Sequence, residues 1–440
     1  MFKIRTFTSN RHEICRELRF CDDNLPIPFA FLRFFSCIIL FQIMKAESRV
    51  PSPVSQVMIV AGERSGDIYG AGLARALRAR VPGLEVFGCG GEAMSQAAVD
   101  TIVDSHQITM VGITEVVSGI PRVYRAFRRL LQEVDRRQPQ LAVLIDFPDF
   151  NLRLARQLKK RRIPVVYFVS PQVWAWRMGR VKKLKKRIAK MIVIFDFEEE
   201  IYKQAGVPVE YVGHPLVDMV RPHLTREEFC AKVGLDASLP TIALLPGSRQ
   251  KEVTANLPVM LDAATRLTLN RKLQFVLAVA PTIDLRWLET TLLECYVGRA
   301  TVRTAVHATY DALQHSEVAV VASGTATLEA AIRERPMVVV YRVSALTYLV
   351  GKLLVKVPYY SMVNILANKE LVPELIQHDF TAANVAARVE YLLDHPEARE
   401  VMIRGFQALR PRLGQGGAIE RAADAVVGVL QSSQTTWKAG

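Results

Sequence analysis

The chain has 440 residues, half of them apolar, with 57 Lys and Arg against 43 Asp and Glu for a formal charge of +14. That length exceeds one ordinary core and points to two well-packed domains, and the basic excess points to an anionic partner: phosphate, nucleotide, nucleic acid or membrane surface. The six cysteines are scattered, which excludes a C-x-x-C zinc pair and a dense disulfide framework and fits a reducing cytosol. The eight histidines lack H-x-x-x-H spacing, so no protein-built metal site is expected; separately, no cofactor is expected.

In chain order, residues 1–53 stand apart. "LRFFSCIILFQIM" (32–44) is apolar but shorter than the roughly 20 residues that span a bilayer, and no A-x-A site follows it. The segment reads as an extension that adds nothing to the fold, with Met44 as an alternative start; the competing reading is a membrane tether.

From Val57 onward apolar runs alternate with helical stretches. "VMIVA" (57–61), "LAVLIDF" (141–147), "PVVYFVS" (164–170), "MIVIF" (191–195) and "VEYVG" (209–213) form one series; "TIALLP" (241–246), "LQFVLAV" (273–279), "VAVVAS" (318–323) and "PMVVVY" (336–341) form a second. Runs this uniformly apolar are strands covered on both faces, and the helices between them imply parallel sheets. The fold class is therefore α/β, with two Rossmann-like, doubly wound domains. The expected boundaries are 54–215 and 216–410, with a seam near 213–229 and a helical tail over 411–440. Ligands of such sheets bind beyond the carboxyl ends of the strands.

The loop "GERSGDIYGAGL" (62–73) follows the first strand. Its glycines permit a tight turn, Asp67 suits a helix cap, and Glu63 and Asp67 would repel a phosphate, so the loop faces sugar hydroxyls or is a turn alone. In "DFPDFN" (146–151) Asp146 comes directly off an apolar run, where partial desolvation would raise its pKa and make it a usable base; the alternative is that Asp146 and Asp149 cap the next helix. "SPQVWAWRMGRVKKLKKRIAK" (170–190) sets Trp174 and Trp176 before a basic run, which suits single-stranded RNA, an anionic lipid surface, or plain solvation.

"LLPGSRQKEV" (244–253) delivers Gly247, Ser248 and Arg249 to a strand end, where backbone N–H groups, a hydroxyl and a cationic fork suit a diphosphate. "ASGTATLEAAI" (322–332) repeats the device: Gly324 and Thr325 open a helix whose N-terminus faces the same anion, and Glu329 one turn on accepts from ribose hydroxyls. Together they describe a nucleoside diphosphate site without the G-x-x-x-x-G-K-[ST] loop of triphosphatases.

These stretches, with "MVGITEVV", "VSPQVWAWR", "VGHPLVD" and "NILANKELVPELIQ", resemble the lipid-A-disaccharide synthase family from about Val57 to the C-terminus. The resemblance implies a GT-B architecture, two domains facing across a cleft. It also implies an inverting, metal-independent glycosyltransferase that joins UDP-2,3-diacylglucosamine to 2,3-diacylglucosamine 1-phosphate by a β(1→6) bond and releases UDP. On that reading Asp146 is the base, and Glu63 places the acceptor or the base. Ser248, Arg249 and the 324–325 terminus hold the diphosphate, Glu329 the ribose, and Asn364 and Gln377 the donor sugar or diphosphate. It further implies a homodimer with exchanged C-terminal segments, no nucleic-acid partner, and a cytoplasmic enzyme peripheral on the inner membrane. Arg64 and Val363 depart from the family pattern. Other UDP-sugar enzymes of the same architecture, such as an epimerase, and an RNA-binding protein are the competing classes.

"MVGITEVVSGIPRVYRAFRRLL" (110–131) is expected to meet the lipid. As a helix, 122–131 gathers Arg122, Arg125, Arg128 and Arg129 on one arc and Val123, Tyr124, Phe127, Leu130 and Leu131 on another, beside an apolar loop carrying Val116 and Val117. The plain alternative is an apolar face packed on the sheet beneath a solvated basic face.

Overall fold

The computed structural model describes residues 55–105, 108, 113–171, 179–295, 298, 300–343 and 358–438, with the side chains of 113–119, 295 and 433–438 outside the description. The 1–53 extension, Trp174, Trp176, Val116 and Val117, with the expectations attached to them, therefore lie outside the described side chains.

Seven strands make the first sheet: β1 (Gln56–Ala61), β2 (Glu85–Gly90), β3 (Asp100–Asp104), β4 (Leu141–Ile145), β5 (Val165–Phe168), β6 (Lys190–Val193) and β7 (Val209–Tyr211). Six make the second: β8 (Thr241–Leu245), β9 (Gln274–Val279), β10 (Thr301–Val306), β11 (Val318–Ala322), β12 (Met337–Tyr341) and β13 (Glu374–Ile376). The spatial orders are β3-β2-β1-β4-β5-β6-β7 and β10-β9-β8-β11-β12-β13, and every pairing is parallel. Central strands are apolar throughout because helices cover both faces: Val57, Ile59 and Ala61 of β1 enter one core, Met58 and Val60 the other.

In each sheet the strand order reverses beside the first strand, between β1 and β4 and between β8 and β11. Loops leave such a point in opposite directions and open a crevice. The four motif loops, 62–64, 146–148, 247–249 and 323–325, follow those four strands.

The chain crosses between the halves twice, and the crossings are tied together. The His214 N–H donates to Leu413 O at 2.7 Å, and the Gly417 N–H to Asp218 Oδ2 at 2.7 Å. Arg421 bonds Val212 O with both Nε and Nη2, at 3.0 and 2.6 Å. The last helix, Ala418–Lys438, then packs on helix Arg64–Arg80 of the first half, burying Ala422, Ala423, Val426 and Leu430. Among the described residues no helix is long and apolar enough to cross a membrane.

Candidate functional site: a cleft between the two switch points

The turn after β4 is the tightest part of the site. Asp146 and Phe147 both take left-handed backbone, with φ of 44° and 47°, which side-chain-bearing residues rarely adopt. Three groups hold the turn there. The Asp146 N–H donates to Phe168 O at 2.9 Å, Tyr167 Oη donates to Asp146 O at 2.6 Å, and the buried Asn151 amide donates to the carbonyls of Asp146 and Ile145 at 2.8 and 3.1 Å. Gly62 is required opposite, since a Cβ there would lie 2.3 Å from the Phe147 ring. The N-cap position of helix Pro148–Lys160 is held by Phe147, which has no capping side chain, so Asp146 does not occupy it. Asp149 pairs with Arg180 at 2.6 Å.

The clamp leaves the Asp146 carboxyl in the cleft. Burial, aided by the Glu63 carboxylate, pushes its pKa up to about 7. Glu63 sits at the start of helix Arg64–Arg80 and lines the same cleft. Asp67 corrects the expectation of a second repelling carboxylate: it is buried and accepts from the N–H groups of Gly91, Ala93 and Met94 at 2.7, 3.0 and 3.1 Å, capping helix Glu92–Gln96 instead.

On the second half, β8 ends in a turn clamped as β4 is, with the Asn256 amide on Pro246 O at 2.8 Å. Gly247 has φ 132°, and a Cβ there would meet Glu252 at 2.6 Å. The Glu252 carboxylate accepts from the Ser248 N–H at 3.0 Å and from Arg249 Nη1 at 3.1 Å. It therefore occupies the donors assigned to a diphosphate, a feature that pattern reading of "SRQKEV" missed. Arg249 Nη2 also reaches Glu63 at 3.3 Å, an ion pair across the cleft. Gly324 and Thr325 are exposed at the start of helix Thr325–Ile332, with Thr325 in the cleft wall. Burial raises the Glu329 carboxyl to about 7, against a smaller lowering by Arg64. The Arg64 departure thus places a guanidinium near the Glu329 carboxyl.

One expectation fails on geometry. Asn364 is wholly buried, its oxygen accepting from the N–H groups of Leu371 and Val372 and its amide donating to Val372 O and Glu374. With every hydrogen-bonding position of the amide engaged, it is a lock for helix Met362–Ala367 and not a sugar ligand. Gln377 is half-buried and exchanges two hydrogen bonds with the Val343 backbone, at 2.8 and 3.0 Å, which pins a loop and leaves a second N–H and a second lone pair of the amide open. Val363 beside Asn364 is also fully buried.

Helix Ile113–Arg137 contains the expected amphipathic stretch, with a different assignment of faces. Phe127 turns inward with Ala126, Leu130 and Val134, its ring edge-on to Phe150 at 5.4 Å, because those positions fall on the stripe that covers the sheet. Phe127 is thus partly buried against the core and off the exposed face. Tyr124 is 58% exposed and shares the outer face with Arg122, Arg125, Arg128 and Arg129; Arg128 lies over its ring at 6.0 Å.

The cleft encloses about 970 Å³ open to solvent. Its walls include Tyr69, Ser170, Arg180, Glu198 and His214, to which pattern reading assigned no role although Tyr69 and His214 lie in "GERSGDIYG" and "VGHPLVD".

Two parallel Rossmann-like halves with motif loops at both switch points define a protein of the GT-B class. Solved structures of that architecture superpose on most of the chain: UDP-GlcNAc 2-epimerase from Neisseria meningitidis bound to UDP-GlcNAc has a TM-score of 0.54 at 12% identity, covering 86% of this chain and 100% of that one. The spinosyn forosaminyltransferase SpnP has a TM-score of 0.56 at 14% identity, covering 86% and 100%. The family model for lipid-A-disaccharide synthetase matches residues 57–415. Lipid-A-disaccharide synthases from Koribacter versatilis, Solibacter usitatus and Syntrophus aciditrophicus are 46%, 42% and 44% identical, each over 86% of this chain and over 99%, 99% and 98% of the relative. The chain belongs to the lipid-A-disaccharide synthase family and is a glycosyltransferase.

Proposed function

We propose that the chain joins UDP-2,3-diacylglucosamine to 2,3-diacylglucosamine 1-phosphate through a β(1→6) linkage and releases UDP. The observation that carries this reading is one cleft bounded by a desolvated carboxyl, Asp146, and by the start of helix Thr325–Ile332, with Arg249 reaching in from the second half. Asp146 takes the proton of the acceptor 6-hydroxyl as that oxygen attacks the anomeric carbon. The bond from that carbon to the β-phosphate oxygen breaks, and its electron pair leaves with UDP. Arg249 and the Ser248 N–H, once the diphosphate displaces Glu252 from them, stabilise the departing charge together with the Thr325 N–H. Glu329 accepts from ribose, and Glu63 orients acceptor and base. Residues 54–215 are the acceptor side and 216–410 the donor side.

For substrate access we place the exposed face of Arg122, Tyr124, Arg125, Arg128 and Arg129 against the anionic inner face of the inner membrane, where each cation contributes about 1 kcal/mol. A homodimer would form if helix Ala418–Lys438 made its contact with Arg64–Arg80 of a second copy. The reaction is tested by incubating the chain with both lipid substrates and scoring UDP release and product linkage. Absence of UDP release with the phosphorylated acceptor rejects it.

A further inference from the structure

His214 lies in "VGHPLVD", on the first crossing between the halves, and is 3% exposed. Its backbone N–H is tied to Leu413 O, and its Nδ1 accepts from the Leu216 N–H at 3.2 Å. Nδ1 therefore carries no proton, and a neutral ring must carry it on Nε2. Burial pushes the imidazole pKa down to about 3, so the ring stays neutral in the working range. Tyr69 stands edge-on with centroids 6.3 Å apart, and Phe195 closes another side at 5.3 Å, which fixes the ring plane. The ring lines the cleft together with Asp146 and Thr325, and Nε2 has no acceptor among the described residues. Nε2 is not one of the buried polar atoms left unsatisfied among the described residues, so its N–H opens onto the cleft and is available to a bound group.

The surroundings say what that donor is for. Glu63, Asp146 and Glu329 already supply acceptors for hydroxyl groups. The acceptor's 6-hydroxyl must lose its proton, which a neutral ring with a blocked Nδ1 cannot take. On the first-half wall Ser170 Oγ is already bonded to Pro171 O and to Tyr202, and the Arg180 guanidinium is paired with Asp149, whereas His214 Nε2–H is a neutral donor still open to an oxyanion. A cation there would pull down the Asp146 pKa and weaken the base; a neutral N–H stabilises developing charge without doing so.

We propose that His214 Nε2–H donates a hydrogen bond to a diphosphate oxygen of the UDP-sugar, opposite Arg249 and the start of helix Thr325–Ile332. The inference deepens the proposed function and rests on it only for the identity of the ligand. The test uses UDP as probe. In ¹⁵N NMR of the imidazole, the unligated chain should show a protonated Nε2 and a bare Nδ1, and UDP should shift the Nε2–H resonance without changing the tautomer. His214→Asn keeps the acceptor for Leu216 but cannot reach the Nε2 position; it should bind UDP about tenfold more weakly and lower kcat roughly 10²-fold. His214→Gln places an amide N–H near the Nε2 position and should recover most of both. An unmoved resonance, parent-like UDP affinity and kcat in His214→Asn, or a change confined to the acceptor KM overturns the proposal. Should His214→Asn fail to fold, the resonance in the unaltered chain decides. A chain that shows the UDP-dependent shift yet forms no disaccharide would reject the reaction and retain the assignment of His214.

Discussion

Asp146 combines a strained backbone with a desolvated side chain, and both oppose folding. Left-handed backbone costs on the order of 1–3 kcal/mol for a side-chain-bearing residue and persists only where the surroundings over-determine it, here through Phe168 O, Tyr167 Oη and the Asn151 amide. A carboxyl whose folded pKa lies above its unfolded value contributes stability below the unfolded pKa, and that stability is lost as pH rises through the folded pKa. For Asp146 the loss runs from about pH 4 to about 7. Asp146→Asn should therefore raise the melting temperature at pH 8 and flatten its decline above pH 5, while turnover falls by roughly 10²–10⁴ and UDP binding holds. Parent-like turnover would remove Asp146 as the base. In the parent, activity should rise with pH through about 7 and then level, since the base must be ionised. At Arg249 the geometry is a two-sided pairing with Glu63 and Glu252 that a diphosphate must replace. Arg249→Ala should lose most activity, and Arg249→Lys should recover little because the fork is lost; a fully active Lys variant contradicts a bidentate role.

At the scale of elements, legibility followed burial. Central strands such as β1, β4, β8 and β11 are continuous apolar runs and stand out in the sequence. The reading passed over β2, whose "EVFGCG" holds two glycines, β3 with its "DTIVD", the alternating edge strand β10 "TVRTAV", and the three-residue β13. Motif loops were legible because glycine, hydroxyl and charge cluster at strand ends. Asn364 was not, since an amide that binds a sugar and one that locks a loop are the same residue type, and only its partners distinguish them. Phe127 shows the same limit: periodicity defines a stripe but not what covers it. The outer face of helix Ile113–Arg137 yields its own prediction. Replacing Arg122, Arg125, Arg128 and Arg129 by Gln should weaken binding to anionic vesicles strongly while thermal stability and UDP affinity hold, because all four side chains are exposed. Undiminished vesicle binding would move the membrane contact to the exposed lysines at 182–186.

For the whole molecule, the returning C-terminus decides whether the two halves act as one body. Helix Ala418–Lys438 belongs by sequence to the second half yet buries its small face on Arg64–Arg80, where a Cβ in place of Gly72 would lie 3.4 Å from the Ile419 side chain. Two kinds of contact hold it, and their magnitudes differ. The pairs of Arg80 with Glu420 and Asp424, at 2.7 and 2.6 Å, have carboxylates 60% and 65% exposed, so solvent screens them and Arg80→Ala should leave the melting temperature nearly unchanged. Ala422 and Ala423 are fully buried, and a carboxylate at either site would have no partner and no space. Ala423→Asp should therefore detach the helix. Because Arg421 and Gly417 also tie both crossings together, the first half should lose protection with it, seen as faster amide exchange in residues 64–80 and 212–218. Activity should fall in parallel, since His214 and the cleft wall hang on those crossings. Exchange confined to residues 418–438, with turnover intact, would show that the tail is an appendage and that the cleft is held by the two sheets alone.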